Sequence, residues 1–266
     1  MINNVTIGAD IEVFLFDEET NQYKSVIGLV GGTKKKPRPV IAEGYGLQED
    51  NVLLEFTIPV SRSKQQFLDT INRIKNELPN YVKPYSLRTI ASAHFNEEEL
   101  NHPKAQEFGC SEDFNAWTLE VNPRPEGSAN SLRTSGLHIH IGYDNPNPVD
   151  SIALMRAMDL FLGVPSMLID PDRERRVLYG KAGCFRAKEY GAEYRVLSGF
   201  FLSSDETLEF AYDGTMKAIE FVNQGNVIND EMRQLICQAI NNNDLKAVDQ
   251  VMSFYKLKSN IQCIPA

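Results

Sequence analysis

The chain has 266 residues, of which 42% are hydrophobic and 24% are charged, and its formal net charge is −9. This profile is typical of a soluble globular protein, with enough residues for one domain around a sizeable core. The acidic surplus disfavours nucleic acid as the main partner, because proteins that bind polyanions usually carry a basic excess.

Cysteine usage and apolar runs bear on the compartment. The four cysteines form no Cys-x-x-Cys pair, which disfavours a zinc ribbon or a disulfide scaffold and favours a reducing compartment. The N-terminal segment lacks a basic start, and Asp10 and Glu12 interrupt its apolar residues, so it does not predict a signal peptide. No uninterrupted apolar run is long enough to predict a transmembrane helix. We expect a cytoplasmic protein that needs no membrane. The cysteines are Cys110, Cys184, Cys237 and Cys263.

Most of the chain reads as short β-runs between Gly/Pro-rich loops, and its C-terminal part reads as helices. Because strands and helices do not alternate regularly, we predict one α+β domain over residues 1–266, with helices packed on one face of a curved, largely antiparallel sheet. The predicted strands are 4–16, 51–59, 85–94, 116–122, 137–143 and 192–197. The predicted helices are 61–78, 150–161, 206–223, 230–241 and 244–255.

A loop rich in glycine, lysine and proline, GLVGGTKKKPRPV, separates the first two predicted strands. Its backbone N–H groups around Gly31 to Lys34 are candidates to cradle a phosphate or a substrate. Neither the Walker A pattern nor the dinucleotide fingerprint is present. We therefore assign Gly32 and Lys34 as candidate nucleotide contacts on loop composition alone.

Four strands share one pattern, because residues two apart on a strand point to the same face. Asp10 and Glu12 alternate with apolar residues in GADIEVFL, and Glu55 does so in NVLLEFTIP. The histidines of SGLHIHIGY and the Glu and Arg of GAEYRVL repeat the pattern. Each strand thus offers an apolar face to a core and an ionisable face elsewhere.

The ionisable faces are either the wet side of an antiparallel sheet or a metal site. A wet face predicts a mixture of polar residues, whereas these faces carry carboxylates, two histidines and an arginine. Carboxylates on neighbouring strands repel each other unless cations lie among them. Oxygen ligands with at most one imidazole per ion favour Mg²⁺ or Mn²⁺ over structural zinc.

The segment 170–195 is rich in arginine and glycine, and its arginines show no helical period. It is either a solvated basic loop or a clamp for a polyphosphate, which divalent cations and Arg forks commonly bind together. We assign Arg175, Arg176 and Lys181 as candidate nucleotide contacts. The glycine-rich stretch 179–191 is a candidate lid.

The ordered motifs resemble a known family. GADIEVFL, the Gly-x-His-x-His of SGLHIHIGY and the EYR of GAEYRVL are similar to three strands of glutamine synthetases, in the same order. The set GADIE, GGTK, EDNVLLEF, LRTSGLHIHIGY and YGKAGCFRAKEYGAEYRVLS resembles the phage-associated carboxylate–amine ligases of the glutamine synthetase and glutamate–cysteine ligase superfamily. The resemblance spans about residues 5–200 and implies a glutamine synthetase-like catalytic fold.

The resemblance implies a role for each matching residue. It implies metal ligands at Glu12, His138 and Glu193, with Asp10 where glutamine synthetases commonly have glutamate. Glu55 is similar to a metal-ligating glutamate of glutamate–cysteine ligases. His140, Arg186 and Arg195 are the residues implied to face the γ-phosphate and the acyl group. Glu120 alternates onto the same face of a predicted strand without a family counterpart.

The implied reaction is phosphoryl transfer from ATP to a carboxylate, followed by attack of an amine on the acyl phosphate, with Mg²⁺ or Mn²⁺ as the metal. The substrates expected are a small-molecule or peptide carboxylate and an amine, in the host cytoplasm if a phage encodes the chain. Other readings are a guanidino kinase-like phosphotransferase, a zinc hydrolase that uses His138 and His140, and a non-catalytic nucleotide-binding or virion-associated protein. Oligomeric state is left open.

Overall fold

The protein is described here from a computed structural model that covers residues 1–107, 112–123 and 131–257. Cys110 and Cys263 lie outside these residues, and Cys184 and Cys237 are free thiols. The strands are β1 Thr6–Asp17, β2 Gln22–Lys24, β3 Arg38–Pro39, β4 Gly46–Asp50, β5 Leu53–Thr57, β6 Ser86–Arg88, β7 Ser92–His94, β8 Phe114–Asn115, β9 Leu132–Thr134, β10 Leu137–Gly142, β11 Cys184–Lys188 and β12 Gly191–Tyr194.

The helices precede, interrupt and follow these strands. They are α1 Lys64–Val82, α2 Glu97–Leu100, α3 Pro103–Gln106, α4 Pro148–Met158, α5 Val164–Ile169, α6 Arg175–Leu178, α7 Asp205–Asn223, α8 Asp230–Asn242 and α9 Leu245–Phe254. A π-helical turn, Asp159–Gly163, joins α4 to α5, and a 3-10 turn, Gly199–Leu202, precedes α7.

The main sheet of the described residues runs in the order β3-β4-β5-β1-β10-β12-β11-β8, and its strands pair antiparallel. β2 and β6 pair with the C-terminal part of β1. The four strands with alternating ionisable residues, β5, β1, β10 and β12, are therefore direct neighbours. The α+β class with a large antiparallel sheet is confirmed.

The apolar residues of these strands face the main core, where they pack with the helices. Ile11, Val13, Ile139 and Ile141 are fully buried in this core. The inward faces of α1, α4, α7, α8 and α9 belong to the same cluster. Burial of this area is the main favourable term in folding.

One segment in the described part of the chain is long and apolar enough to cross a membrane by length and composition. It is Pro148–Ile169, with a mean hydropathy of 1.6, and 72% of its apolar window is buried inside the protein. A core helix shows this burial, and the segment contains the buried Asp159. The segment is thus weak support for a membrane span.

The strand predicted at 116–122 is wrong. The chain forms β8 at Phe114–Asn115 and then a tight turn, because the Asn115 side chain accepts hydrogen bonds from the backbone N–H groups of Trp117 and Thr118. An Asx turn of this kind competes with strand pairing. Glu120 lies exposed in this turn, outside the sheet face to which it was assigned.

Candidate active site

The ionisable face of the sheet lies beneath a cavity of about 570 Å³. Loop residues 32–33 and the turn at 49–53 form one side, and residues 178–186 form the other. Glu12, His138 and Arg195 rise from the sheet into this space. The cavity therefore joins the predicted carboxylate strands to the predicted basic segment.

Three carboxylates meet on the side of β4, β5 and β1. Glu12 and Glu55 are register partners on adjacent strands, and Asp50 ends β4 on the same face. One oxygen of each carboxylate lies within 4.8 Å of the others. We call this group the carboxylate trio.

Glu12 and Glu55 are buried, Asp50 is half-buried, and the pKa values of the two glutamates reflect both burial and crowding. Burial, with repulsion from Asp50, raises the pKa of Glu12 to about 7, although Arg195 and Arg175 oppose the rise. Burial and then the charges of Asp50 and Asp10 raise the pKa of Glu55 well above its usual value. Without a cation, this group is costly to ionise.

The trio fits a divalent cation. All three side chains offer carboxylate oxygens, the donors that Mg²⁺ and Mn²⁺ prefer. Oε2 of Glu55 is buried and has no hydrogen-bond partner among the described residues. Glu12 is fixed from behind, because its Oε2 accepts a hydrogen bond of 2.6 Å from Gly136 N. Asp50 escaped the sequence analysis because β4 was not predicted, although Asp50 follows Gln48 on the same strand face.

The opposite half of the sheet face gathers cations around Glu193. Arg195 forms an ion pair with Glu193, and Lys188 Nζ lies 2.7 Å from its Oε2. Arg186, the register partner of Glu193 on β11, lies 3.7 Å away. We call these four residues the Glu193 cluster. Burial alone would raise the pKa of Glu193, but Arg195 and His138 outweigh it and lower that pKa.

His138 connects the two halves. It pairs with Asp10 in the register of β1 and β10, and its ring lies over Gly136, where a Cβ atom would overlap the imidazole. Its Nδ1 lies 3.2 Å from Arg195 and 3.8 Å from Glu193. Burial and then the charge of Arg195 lower its pKa well below the usual value. A neutral imidazole is the form that binds metal ions.

Four of the predicted residues on the sheet face are not among the described residues that line the cavity, namely Asp10, Glu55, His140 and Glu193. Asp10 Oδ2 is 3.1 Å from His140 Nε2, and His140 Nδ1 is hydrogen-bonded to the hydroxyl of Tyr190. In this arrangement Asp10 and Glu193 are held by cationic or imidazole partners. The five predicted metal ligands share one sheet face, but only Glu12 and Glu55 belong to a compact oxygen cluster.

Two arginines predicted to act in the reaction reach the cavity. Arg186 is on strand β11, not in a loop, and Arg195 follows β12. Burial opposes the charge of Arg195, but Glu193 raises its pKa above the usual value. Its Nε lies 3.5 Å from Asp113, a cavity residue that sequence reasoning missed. Both guanidinium groups are thus held charged beside the open volume.

The predicted nucleotide contacts divide into two groups. Lys181 and Gly32 line the cavity, whereas Arg176 and Lys34 are not among the described residues that line it. Arg175 lines the cavity, but it is buried and donates hydrogen bonds to the backbone carbonyls of Ser135 and Val196. The Arg175 guanidinium thus already binds backbone carbonyls within the protein.

The glycine loop is also committed in this structure. Glu49 Oε1 accepts hydrogen bonds of 2.9 Å from the N–H groups of Gly28 and Gly31. Thr33 N donates to the carbonyl of Lys36. In this structure the N–H groups of Gly31 and Thr33 thus have partners within the protein, and the phosphate cradle stays a prediction. Gly32, at φ +84°, packs against the backbone of β4 and has no room for a side chain.

The candidate lid at 179–191 is anchored. Residues 184–188 form β11 inside the sheet, and the loop before it is hydrogen-bonded to the helical layer through Ala182 N and Gly183 N. A strand paired on both sides is poorly suited to open and close. The segment is better described as a fixed wall of the cavity.

Comparison with known proteins points to one family over part of the chain. Residues 127–225 match the model of the family described as "Phage phiEco32-like COOH.NH2 ligase-type 2". The match covers less than half of the chain, and it contains the strands that carry His138, Arg186 and Glu193. No curated protein matches the sequence.

A similar solved structure is the crystal structure of a bifunctional glutathione synthetase from Pasteurella multocida. It has 9% sequence identity and a TM-score of 0.44, and the alignment covers 95% of this chain and 47% of that one. The chain thus spans about half the length of the structure that it matches.

Proposed function

We propose that the protein is an ATP-dependent carboxylate–amine ligase that uses Mg²⁺ or Mn²⁺. The observation that carries the proposal is that Glu12 and Asp50 of the carboxylate trio line the same cavity as Arg186 and Arg195, with a carboxylate oxygen of Glu55 within 4.8 Å of theirs. The carboxylates need a cation, and the arginines are suited to an anion. A metal-bound polyphosphate satisfies both. The partial match to a COOH.NH2 ligase family supports the same reaction.

Glu12, Asp50 and Glu55 would hold a divalent cation through carboxylate oxygens. Such a cation, when bound, supplies positive charge to phosphate oxygens. His138 lies next to this group, and its neutral imidazole offers a nitrogen as a further metal ligand. Movement of Glu193 or Asp10 away from its present partner would complete a second set with His138, and we keep their metal-binding role as part of the proposal.

The arginines would act on the phosphoryl group that is transferred. Arg186 and Arg195 donate from a buried site, where electrostatic interactions are strong and where little reorganisation is required. Lys181, at the exposed edge of the same wall, would contact the outer phosphates. His140 keeps its proposed place near the acyl group only if the Asp10 pair opens.

The proposed reaction has two steps. A carboxylate oxygen of the acid attacks the γ-phosphorus of ATP, so that ADP leaves and an acyl phosphate forms. The amine then attacks the acyl carbon, phosphate leaves, and the nitrogen loses a proton to water or a base. The cavity walls exclude bulk water from the acyl phosphate during this interval.

Several finer features belong to the same proposal. They are a glutamine synthetase-like fold in one domain of residues 1–266, substrates that are a small or peptide carboxylate and an amine, and a cytoplasmic site of action. We further propose that neither nucleic acid nor a membrane is the main partner. An oligomer is compatible with all of these features.

Release of ADP tests the function. Purified protein is incubated with ATP, Mg²⁺ or Mn²⁺, and pools of carboxylates and amines, and ADP is measured with a coupled assay. We expect sustained turnover to ADP only when metal, acid and amine are all present, together with an amide product by mass spectrometry. Phosphorylation of an added guanidino compound, or no ADP with any pool despite nucleotide binding, would contradict the proposal.

A further inference from the structure

A buried carboxylate outside the cavity ties its basic wall to the helical layer. Asp159 begins the π-helical turn Asp159–Gly163, and its side chain is fully buried. Its Oδ2 accepts hydrogen bonds from Trp117 Nε1 at 2.7 Å and from Gly183 N at 2.6 Å. Its Oδ1 accepts from the Tyr194 hydroxyl at 2.8 Å. One side chain thus joins three separate elements.

The local backbone is built around this junction. A Cβ atom on Gly163 would lie 2.8 Å from the Tyr194 hydroxyl and 3.2 Å from Asp159 Oδ1. The glycine therefore leaves room for their hydrogen bond. π-helical turns occur often at functional sites, because they redirect a side chain within a helix.

The Gly183 end of the junction belongs to the cavity wall. Gly183 has φ +74°, and a Cβ atom there would lie 2.7 Å from Trp117 Cδ1 and 2.8 Å from Asn115 Oδ1. Lys181 and Arg186, two residues before and three residues after Gly183, both line the cavity. The backbone position of Gly183 therefore sets where these two cations can reach.

We propose that Asp159 is a positioning residue, whose carboxylate fixes the Gly183 amide and so places Lys181 and Arg186 at the nucleotide phosphates. The inference rests on the proposed function, and it adds a residue that touches neither substrate nor metal. Displacement of a binding group by about 1 Å is enough to cost a large part of its effect. A residue behind the wall can thus control binding at its front.

Two substitutions of Asp159 separate the effect of the carboxylate's position from the effect of its charge. Asp159→Asn removes the charge, but its oxygen can still accept from Trp117 and Gly183 while its NH₂ group donates to the Tyr194 hydroxyl. Asp159→Glu keeps the charge, but it moves the carboxylate outward by one methylene and displaces Gly183. Tyr194→Phe is the matched control, because it removes the Oδ1 contact and leaves both Oδ2 contacts.

The affinity for a non-hydrolysable ATP analogue, measured by calorimetry, is the main readout. We expect Asp159→Glu to weaken binding by about tenfold, as the loss of one charge-assisted hydrogen bond does. Asp159→Asn and Tyr194→Phe should stay within about threefold of the wild type. The effect of Asp159→Glu should be smaller in an Arg186→Met background, where only Lys181 remains to be positioned, because coupled residues are not additive.

Three results would overturn the inference. They are wild-type affinity in Asp159→Glu despite a lower melting temperature, equal weakening in Asp159→Asn, or full additivity with Arg186→Met. If Asp159→Glu does not fold, Asp159→Ser, whose hydroxyl is too short to reach Gly183, takes its place.

A second measurement keeps the inference apart from the proposed function. Hydrogen–deuterium exchange of residues 180–186 needs no nucleotide, and Asp159→Glu should accelerate it more than Tyr194→Phe does. If the wild type binds no ATP analogue, the proposed function fails. The exchange experiment then tests by itself whether Asp159 fixes the Gly183 amide. Equal exchange in both variants would contradict the role of Asp159 in fixing the Gly183 amide.

Discussion

The two halves of the ionisable sheet face have opposite electrostatics on one scaffold. In the carboxylate trio, acids crowd together and the pKa values of Glu12 and Glu55 rise, although Arg195 and Arg175 oppose the rise at Glu12. In the Glu193 cluster, three cations surround one acid, and Arg195, with His138, His140 and Lys188, lowers its pKa against the effect of burial. Each half alone is an expensive arrangement. The comparison teaches that one half is suited to a cation and the other to an anion.

This difference also explains why only some of the predicted metal ligands cluster together. Glu193 and Asp10 are neutralised by neighbours from the protein itself, whereas Glu12 and Glu55 are not. Adjacent strands put all of them on one face, but side-chain partners decide which carboxylates remain available. The trio is therefore the side of the site where removal of one charge should have the largest effect.

Glu12→Gln should abolish turnover. The substitution preserves the side-chain shape and an acceptor for Gly136 N, but it removes one of the three anionic ligands. We expect ADP formation to fall by about a thousandfold or more, since a bound metal stabilises the charge that develops in phosphoryl transfer by several kcal/mol. Glu120→Gln makes the same substitution at an exposed carboxylate that is not in the cavity lining, and as the matched control it should keep wild-type turnover. Near-normal metal-dependent turnover in Glu12→Gln would remove Glu12 from the metal site.

Arg195→Lys tests the cationic half and should have the next largest effect. Lysine keeps the charge but loses the planar fork that reaches Glu193 and the cavity together. We expect the rate of ADP formation to fall by about a hundredfold, and nucleotide affinity to change far less, because the contact strengthens as charge develops. The measurement is steady-state ADP release with nucleotide titration. An unchanged rate would show that Arg195 only pairs with its neighbours.

The sequence predicted the floor of the site better than its walls. Alternation in GADIEVFL and SGLHIHIGY defines a face once strands are formed, so Glu12 and His138 could be placed from period two alone. Asp50 could not be found, because β4 reads GLQED and lacks a clear apolar alternation. Arg186 was assigned to a loop because Gly180 and Gly183 suggested one, whereas residues 184–188 form β11, which pairs with β12 in a hairpin and with the distant β8.

Local sequence patterns also fail to identify buried charged residues whose partners come from distant parts of the chain. Arg175 and Arg176 sit in an arginine-rich run, and composition alone cannot tell a guanidinium that binds phosphate from one that binds backbone carbonyls. Asp159 lies in an apolar helix and carries no sequence signal for its three donors. Such residues become visible only when tertiary contacts bring their partners together.

The raised pKa values of Glu12 and Glu55 predict a pH-dependent stability in the absence of metal. Glu12 binds its proton more tightly when folded, at a pKa of about 7, than when unfolded, near 4.5. Its stabilising contribution is therefore complete below about pH 4.5 and is lost as the pH rises through about 7. Glu12→Gln should raise the free energy of unfolding at pH 8 by on the order of 2 kcal/mol, and by much less at pH 5.

Denaturant unfolding at the two pH values, with and without Mn²⁺, measures this effect. Metal should stabilise the wild type more at pH 8 than at pH 5, because protons compete with it for the trio. Glu12→Gln should abolish most of that gain. Equal stabilisation of both proteins by Mn²⁺ would contradict the assignment of the trio as the cation site.

Lys188→Met tests the Glu193 cluster at its edge and should have the smallest effect. Lys188 is 28% exposed and pairs with a Glu193 that keeps two arginines, so we expect a loss below about 1 kcal/mol near neutral pH. The folded pKa of Glu193 is lowered, so its stabilising contribution is present above the unfolded pKa and is lost as the pH falls. Loss of one cation raises that folded pKa, and the variant should therefore lose less stability than the wild type on acidification. Lys181→Met, which removes an exposed lysine of the cavity lining, is the matched control and should follow the wild-type acid profile. If Lys188→Met also follows that profile, Arg195 and Arg186 alone set the charge state of Glu193, and the cluster reduces to its two arginines.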